Sequence, residues 1–190
     1  MNDMNRSPFV LPVALVWLVL FSTGCPMGNV EDDGDMNNGE IEAGVEIMIP
    51  NEGNEHVPVG QQVAYQSNPP ASGPHWSQGG VAPAPAGFYE TTVEEEQWVH
   101  NLEHGYVVIL YGCGDACPAA LLTDLQNFVQ SASPSEVFDT TKLVIIPYDG
   151  LPFLLMAIAW ETQLSLAAFD QAVLLNFYDR HLDQGPELAP

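Results

Sequence analysis

Basic residues are nearly absent from this chain of 190 amino acids. Lysine and arginine occur three times in total, at Arg6, Lys142 and Arg180, against 25 aspartates and glutamates, so the net charge is −22 at pH 7. Binding to nucleic acid needs lysine and arginine to displace counterions from phosphates, and docking on anionic lipid head groups also needs them. We therefore expect no nucleic-acid partner. The acidity fits solubility or the attraction of cations, and charge alone does not choose between them.

Long apolar runs are also scarce. The run from Phe9 to Phe21 is too short to be a comfortable membrane span. Arg6 precedes it and the sequence STGC, residues 22–25, follows it, which is the order typical of a secretory signal. A cysteine directly after Thr-Gly resembles the lipobox of bacterial lipoproteins, apart from a serine where leucine is usual. The resemblance implies that the Cys25 thiol is diacylated and becomes the new N-terminus. The alternatives are an ordinary signal peptide cut nearby and an uncleaved anchor.

The segment after this cysteine has many acidic residues and few apolar ones. Such a composition cannot offset the loss of chain entropy on folding, so residues 25–46 are predicted to be a disordered tether. Residues 1–24 are then the signal peptide, and residues 47–186 have the size of one domain with one core. We expect a monomer in the cell envelope, periplasmic or surface-facing, attached to the membrane through a lipid on Cys25.

The remaining chain alternates loop composition with apolar patterns. Residues 54–90 are rich in Pro, Gly, Ser and Gln and predict turns and irregular loops. Thr92–Glu95 has the pattern of a capping box, and Gly105 is a candidate C-cap for the helix between them. Continuous runs of Val and Ile predict buried strands, and apolar residues at helical spacing predict amphipathic helices. The predicted elements are a strand at Gln62–Tyr65, a helix at about 93–104, a strand at Tyr106–Tyr111, a helix from Pro118 to about Ser131, strands at Leu143–Pro147 and Leu154–Trp160, and a helix at about 166–182 with Phe169, Val173, Leu174 and Phe177 inward.

This order of elements sets the expected fold class. Strand, helix, strand, strand and helix predict an α+β fold, or a small α/β fold, built as a two-layer sandwich of a mixed sheet with helices. A thioredoxin-like arrangement is one alternative.

Three pieces of the sequence together resemble a known family. They are PPASGPHW at residues 69–76, VHNLEHGY at residues 99–106, and Ala159-Trp160 ahead of the last helix. They resemble the bacterial and archaeal domain of unknown function 3105, over about residues 55–186, including the closing sequence QGPE at residues 184–187. The resemblance implies no activity, because none is assigned to that family. Its motifs fall here on His75, His100, Glu103 and His104.

The histidines are the leading candidates for a binding site. On a helix, His100 and His104 lie one turn apart on the same face, so that two imidazoles can converge on one cation. His75 would come from a loop held stiffly by its neighbours, and His56 could add a fourth nitrogen. Glu103 is expected to accept an imidazole N–H and fix its tautomer. Two or three neutral imidazoles suit zinc or copper, whereas the alternative is a set of structural histidines hydrogen-bonded inside a packed fold.

Two further interpretations use the same region. Residues 100–104 also match H-x-x-E-H, the inverted zinc-peptidase motif, with Glu103 as general base. Such enzymes need another acidic ligand on a second helix, for which Glu161 is the candidate, and a larger domain than this one. Met156 and Met48 are candidate ligands only if the metal is reduced copper, which binds thioether sulfur.

The two cysteines at 113 and 117 allow a different chemistry. They follow a predicted strand and lead into a helix through Pro118, which resembles the C-x-x-x-C-P of the copper-delivery Sco family. That resemblance implies a thiolate pair that binds copper with a distant histidine, or that exchanges disulfides. A helix N-terminus lowers a thiol pKa, as either role needs. The interpretation that we favour is a structural disulfide in an oxidising compartment.

The sequence contains no recognisable pair of nucleophile and base. A binding or metal-handling role is therefore favoured over catalysis. The leading hypothesis is an exported, lipid-anchored domain that binds copper or zinc through its histidines. A thiol–disulfide oxidoreductase and a structural surface lipoprotein are the competing hypotheses.

Overall fold

The computed structural model describes residues 42–114 and 116–190. The predicted signal peptide, Cys25 and most of the predicted tether lie outside these ranges. Within them, no helix has the length and apolar character that crossing a membrane requires. The elements are β1 (Glu46–Met48), β2 (His56–Val57), β3 (His75–Trp76), β4 (Gly87–Phe88), α1 (Glu95–Glu103), β5 (Val107–Tyr111), α2 (Ala119–Phe128), β6 (Leu143–Pro147), β7 (Leu155–Ala159), β8 (Thr162–Leu166) and α3 (Gln171–His181), with a 3₁₀ turn at Val129–Ser131 after α2.

A six-stranded mixed sheet forms the centre of the fold. Its strand order is β1-β8-β7-β5-β6-β4, and β2 pairs with β3 in a separate two-stranded sheet. β6 is parallel to β4 and β5, whereas β7 is antiparallel to β5 and β8. β5 consists of Val-Val-Ile-Leu-Tyr and is buried along its whole length, as expected of a strand covered on both faces.

Alternate residues of the central strands enter two different apolar cores. Ile109 and Leu143 face α2 and α3 on one side of the sheet. Val108 and Leu110 face α1 and the irregular segment before it on the other side, where Trp98 is fully buried. The predicted α+β fold, with helices packed on a mixed sheet, is confirmed. The structure has a third layer in addition to the two predicted, because α1 covers the second face. The thioredoxin-like alternative stays a prediction.

Most predicted elements are present, and the differences have local causes. No strand forms at Gln62–Tyr65, because the Val63 backbone N–H donates to the buried Glu96 carboxylate at 2.7 Å and not to a neighbouring strand. The capping box is not formed either: α1 begins after Glu94, and no side chain caps it. Instead, the Tyr148 hydroxyl donates to Glu95, the residue expected to complete the box.

The last helix starts later than predicted. Residues 162–166 form β8, which pairs with β7 in register, so α3 begins only at Gln171 with Asp170 as its N-cap. In α3, Leu174 and Phe177 are buried as predicted, but Val173 is exposed because it lies on the outer side of the helix. Residue 46, assigned to the tether, is the first residue of β1.

Candidate metal centre

The helix α1 presents the site residues at its C-terminal end. His100 and Glu103 lie in its last turn and are both buried, and His104 follows as the C-cap. Gly105 then ends the helix with a φ of +78°, the left-handed conformation that glycine adopts without strain. The predicted helix end is therefore observed, and it places three potential ligands within one turn.

The loop that leads into β3 brings His75 to the same place. β2 and β3 pair so that His56 lies directly opposite His75, with ring centroids 5.0 Å apart. The His75 side chain is fully buried, and its Nδ1 lies 2.9 Å from the Gly73 carbonyl oxygen. Its ring centroid is 4.9 Å from that of His100. The Pro- and Gly-rich loop thus presents His75 at a fixed position against α1.

The Glu103 carboxylate is at the centre of this cluster. Its Oε2 lies 2.9 Å from His75 Nε2 and 3.3 Å from His56 Nε2, and its Oε1 accepts a hydrogen bond from Asn54 at 3.1 Å. Burial alone would raise the pKa of this carboxyl. The adjacent His75, with hydrogen bonds from His56 and Asn54, lowers the pKa below its ordinary value. Glu103 is therefore a buried anion that faces imidazoles.

His100 and His104 meet through their Nε2 atoms, which are 3.0 Å apart. His100 Nδ1 lies 2.7 Å from the Trp76 carbonyl oxygen, and His104 Nδ1 lies 3.2 Å from the Pro190 main-chain oxygen. Burial, and then the nearby His104 and His75, lower the pKa of His100 to about 4. The His100 ring is thus neutral at pH 7, with its proton on Nδ1 and a lone pair on Nε2.

The histidine contacts require more protons than neutral rings carry. His75, His100 and His104 make five contacts in which a ring nitrogen faces an acceptor or another ring nitrogen. Three neutral imidazoles carry three N–H groups, so two of these contacts lack a proton. The carbonyls of Gly73 and Trp76 take the Nδ1 protons of His75 and His100, so His75–Glu103 is one deficient contact. The single proton of a neutral His104 serves either His100 Nε2 or the Pro190 oxygen, so the second deficient contact lies at His104. Each needs an added proton or a metal cation.

Two groups of side chains are compact enough to hold a metal ion. The inner group is His56, His75, His100 and Glu103, and the outer group is Glu103, His104 and Glu187; within each group the ligand atoms lie within 4.8 Å of one another. Ligand atoms on one tetrahedral zinc ion are about 3.3 Å apart, given bonds of about 2.0–2.1 Å. The contacts of 2.9 to 3.3 Å around Glu103 are close to that spacing.

The structure thus divides the predicted site residues between the inner and the outer group. His75 and His100 lie in the inner group with Glu103, and His56 joins them as a fourth side chain. His104 touches His100 but belongs to the outer group. The sequence did not identify Glu187 or Asn54, because both come from irregular segments whose path no periodic pattern reveals.

Other predicted candidates lie elsewhere. Glu161 lies in the turn between β7 and β8, where its carboxylate accepts a hydrogen bond from the Asn51 amide. It is therefore not on a second helix, as an inverted zinc-peptidase site requires. Met156 is buried in the apolar core beneath α1, and Met48 is exposed on β1.

Cys113 and Cys117 form a disulfide after β5, and both are half-buried. The histidines precede β5, so about 16 Å of strand separates the two features. Neither cysteine belongs to a potential metal group among the described residues. Among the described residues, the structure therefore does not group the two sulfurs with the histidines, and a copper site that combines them stays a prediction.

The sequence comparisons agree with the motifs around these histidines. This chain matches no curated protein and no solved structure. A family model described as "Protein of unknown function (DUF3105)" matches residues 56–190, well over half of the chain. The matched region starts at His56 and includes every residue of the inner and outer groups. The chain therefore belongs to the DUF3105 family.

Proposed function

We propose that this protein is an exported, lipid-anchored protein that binds a divalent transition-metal ion through His56, His75, His100 and Glu103. The anchor would be Cys25, which lies outside the described residues, and the folded domain would face the periplasm or the cell surface. The role is binding or handling of the metal, with no catalytic step assigned.

The proton deficit of the histidine cluster is the observation that carries this proposal. His75 Nδ1 faces the Gly73 carbonyl oxygen, and Nε2 faces the Glu103 carboxylate, so one neutral ring cannot satisfy both contacts. Metal-binding histidines commonly donate one ring N–H to a backbone carbonyl while the other nitrogen binds the metal. His75 and His100 both have this arrangement, with Nδ1 against the carbonyls of Gly73 and Trp76.

The donor set indicates which ions fit. Three imidazole nitrogens and one carboxylate oxygen suit Zn²⁺ or Cu²⁺, whereas reduced copper favours the sulfur of cysteine or methionine. His100 is ready to bind without losing a proton, because its pKa of about 4 keeps it neutral at pH 7. The low pKa of Glu103 likewise supplies an anion that compensates the charge of the metal.

Metal titration of variants tests the proposal. The full-length chain, purified without a histidine tag and stripped with EDTA, is titrated with Zn²⁺ or Cu²⁺ by calorimetry. We expect Glu103→Gln to weaken binding at least about tenfold, because it removes the central anion. The matched control is Glu96→Gln, which changes another buried glutamate of α1 whose carboxylate only accepts from Val63. This control should bind as the wild type does.

Two outcomes would contradict metal binding at this site. The first is no binding by the wild type, which would mean that added protons fill the deficient contacts and that the histidines are structural. The second is equal binding by wild type and Glu103→Gln.

Thiol–disulfide exchange is a second candidate, supported by the half-buried Cys113–Cys117 pair directly before α2. If the disulfide is structural, thiol labelling of the exported protein without reductant finds neither cysteine free. Two reactive thiols, or rapid reduction of a disulfide substrate, would favour the oxidoreductase function instead.

A further inference from the structure

The segment after α3 folds back over the end of α1. The Asp183 N–H donates to the Gly105 carbonyl oxygen at 2.9 Å, and the Glu187 N–H donates to the Glu103 carbonyl oxygen at 3.0 Å. Gly185 packs so closely that a Cβ there would lie 2.1 Å from the same Glu103 oxygen. The backbone of this segment is therefore held tightly against the end of α1, which places the Glu187 side chain within reach of His104.

Lys142 is buried between the end of α1 and the segment after α3, and it contacts both. It is the only lysine of the chain, and its side chain is fully buried. Its Nζ donates to the main-chain oxygens of His104 at 2.9 Å and Ala189 at 2.7 Å, and it pairs with Asp183 at 2.6 Å. One ammonium group thus joins the end of α1 to the returning segment on both sides of Glu187.

The returning segment gives His104 a second carboxylate neighbour. Glu187 Oε2 lies 3.7 Å from His104 Nε2, and both belong to the outer group with Glu103. Glu103 is common to both groups, and a carboxylate has two oxygens that can bind two cations. Paired metal ions in proteins lie about 3.5–4 Å apart, a spacing that one shared carboxylate spans.

The two deficient contacts are distributed between the two groups. A cation held in the inner group by His75 and His100 removes the need for a proton between His75 and Glu103, and it takes up the lone pair of His100 Nε2. His104 Nε2, 3.0 Å from His100 Nε2, then has no acceptor in the inner group. The other nitrogen of His104 faces the Pro190 main-chain oxygen. A cation bound by His104 and Glu187 would satisfy this second contact.

We propose that the site is a two-cation centre in which Glu103 is shared, the inner cation is held by His56, His75 and His100, and the outer one by His104 and Glu187. This inference rests on the proposed function for the inner cation. The outer position offers one nitrogen and two carboxylates, and the Glu187 side chain is 52% exposed. It would therefore bind more weakly than the inner position, exchange with solvent, and accept harder divalent ions such as Mn²⁺ as well as Zn²⁺.

Stoichiometry of the EDTA-stripped, full-length chain tests the inference. Titration with Zn²⁺ should give about two equivalents for the wild type, the second weaker than the first. Glu187→Gln and His104→Gln should each give about one equivalent, because the outer position loses a ligand while the inner group stays intact. Glu90→Gln is the matched control, an exposed glutamate outside both groups, and should keep both equivalents.

Titration with Cu²⁺ gives an independent measure of the distance between the two cations. The second equivalent of Cu²⁺ should diminish or split the electron paramagnetic resonance signal of the first in the wild type, because the ions would be about 4 Å apart. In Glu187→Gln the signal should remain that of an isolated ion.

The outcomes separate the two proposals. Wild type that binds one equivalent at every concentration overturns the two-cation centre and leaves the proposed function standing. Wild type that binds none overturns both. Two equivalents in both wild type and Glu187→Gln would place the second cation elsewhere and overturn the inference.

Discussion

Lys142 is unusual in a protein with so few basic residues, because it is buried at the junction that completes the candidate site. Its ammonium group contacts three acceptors: two main-chain oxygens and the Asp183 carboxylate. The ammonium also lies 4.1 Å from the centroid of the Phe138 ring. A buried pair of this kind is costly to break, because the remaining partner is left without compensation.

We predict that Lys142→Met lowers the free energy of unfolding by about 3 kcal/mol. The variant removes the cation beside Asp183, which keeps only its hydrogen bond from Ser135, and it removes the donor to two main-chain oxygens. Urea denaturation measures the change. Arg180→Met is the control: Arg180 pairs with Glu46 but its side chain is 48% exposed, so the loss should stay below about 1 kcal/mol. Equal losses in the two variants would show that the buried position of Lys142 confers no special stability.

The sequence predicted site residues where helical spacing or a motif marked them. His100, Glu103 and His104 share one helical turn, so their convergence follows from the period of the helix. His75 was found from its motif, and its contact with α1 depends on the path of an irregular loop. Glu187 belongs to the closing sequence that resembles the family, but no spacing relates it to the histidines until the chain folds back. Contacts between irregular segments that are distant in the chain could not be predicted from the sequence.

The returning segment after α3 depends on two glycines that allow close backbone approach. Gly105 has a φ of +78° and meets the Asp183 backbone, whereas Gly185 lies against the Glu103 carbonyl group. These contacts join α1 to the segment that carries Glu187. The junction between these two elements, and not either one alone, positions the outer group.

Gly185→Ala should loosen this junction, because its Cβ would lie 2.1 Å from the Glu103 oxygen and 2.3 Å from the Gly105 nitrogen. Main-chain atoms cannot rotate away, so the segment must shift, at a cost of about 1–3 kcal/mol in the free energy of unfolding. Gly79→Ala is the matched control, since its added Cβ would meet nothing within 4 Å. Urea denaturation measures both variants, and an unchanged Gly185→Ala protein would show that the segment does not pack tightly.

Prediction of the larger elements succeeded where burial dominates. β5 and β6 are continuous apolar runs, which is what a strand buried on both faces requires. β8 was missed because Thr-Gln-Leu-Ser-Leu has three polar side chains that become buried; the Gln163 side chain, for example, donates to the Pro69 carbonyl oxygen at 2.6 Å. β1 was missed because it is short and exists through its pairing with β8. Strands of this kind are defined by their partners more than by their own sequence.

The distribution of charge over the molecule favours cations. Of the two basic residues in the described ranges, Lys142 is buried with its acceptors and Arg180 is paired with Glu46. Few free positive charges therefore oppose the acidic residues of a chain with a net charge of −22. A negative potential raises the local concentration of cations, so the charge of the whole protein would favour loading of the proposed outer position. The same charge repels anionic lipid head groups, so attachment to a membrane would have to come from the N-terminal segment, either through a lipid on Cys25 or through an uncleaved anchor.

Cys25 is the residue on which attachment through a lipid would depend. Because Thr-Gly-Cys follows the apolar run of residues 9–21, Cys25→Ala should remove the acylation site and leave the protein either unprocessed or released from membranes. Membrane fractionation and the intact mass of the mature chain measure this. The control is Cys113→Ala combined with Cys117→Ala, which removes the other two cysteines and should leave both fractionation and processing unchanged. If Cys25→Ala leaves fractionation and mature mass as in the wild type, the chain is not a lipoprotein.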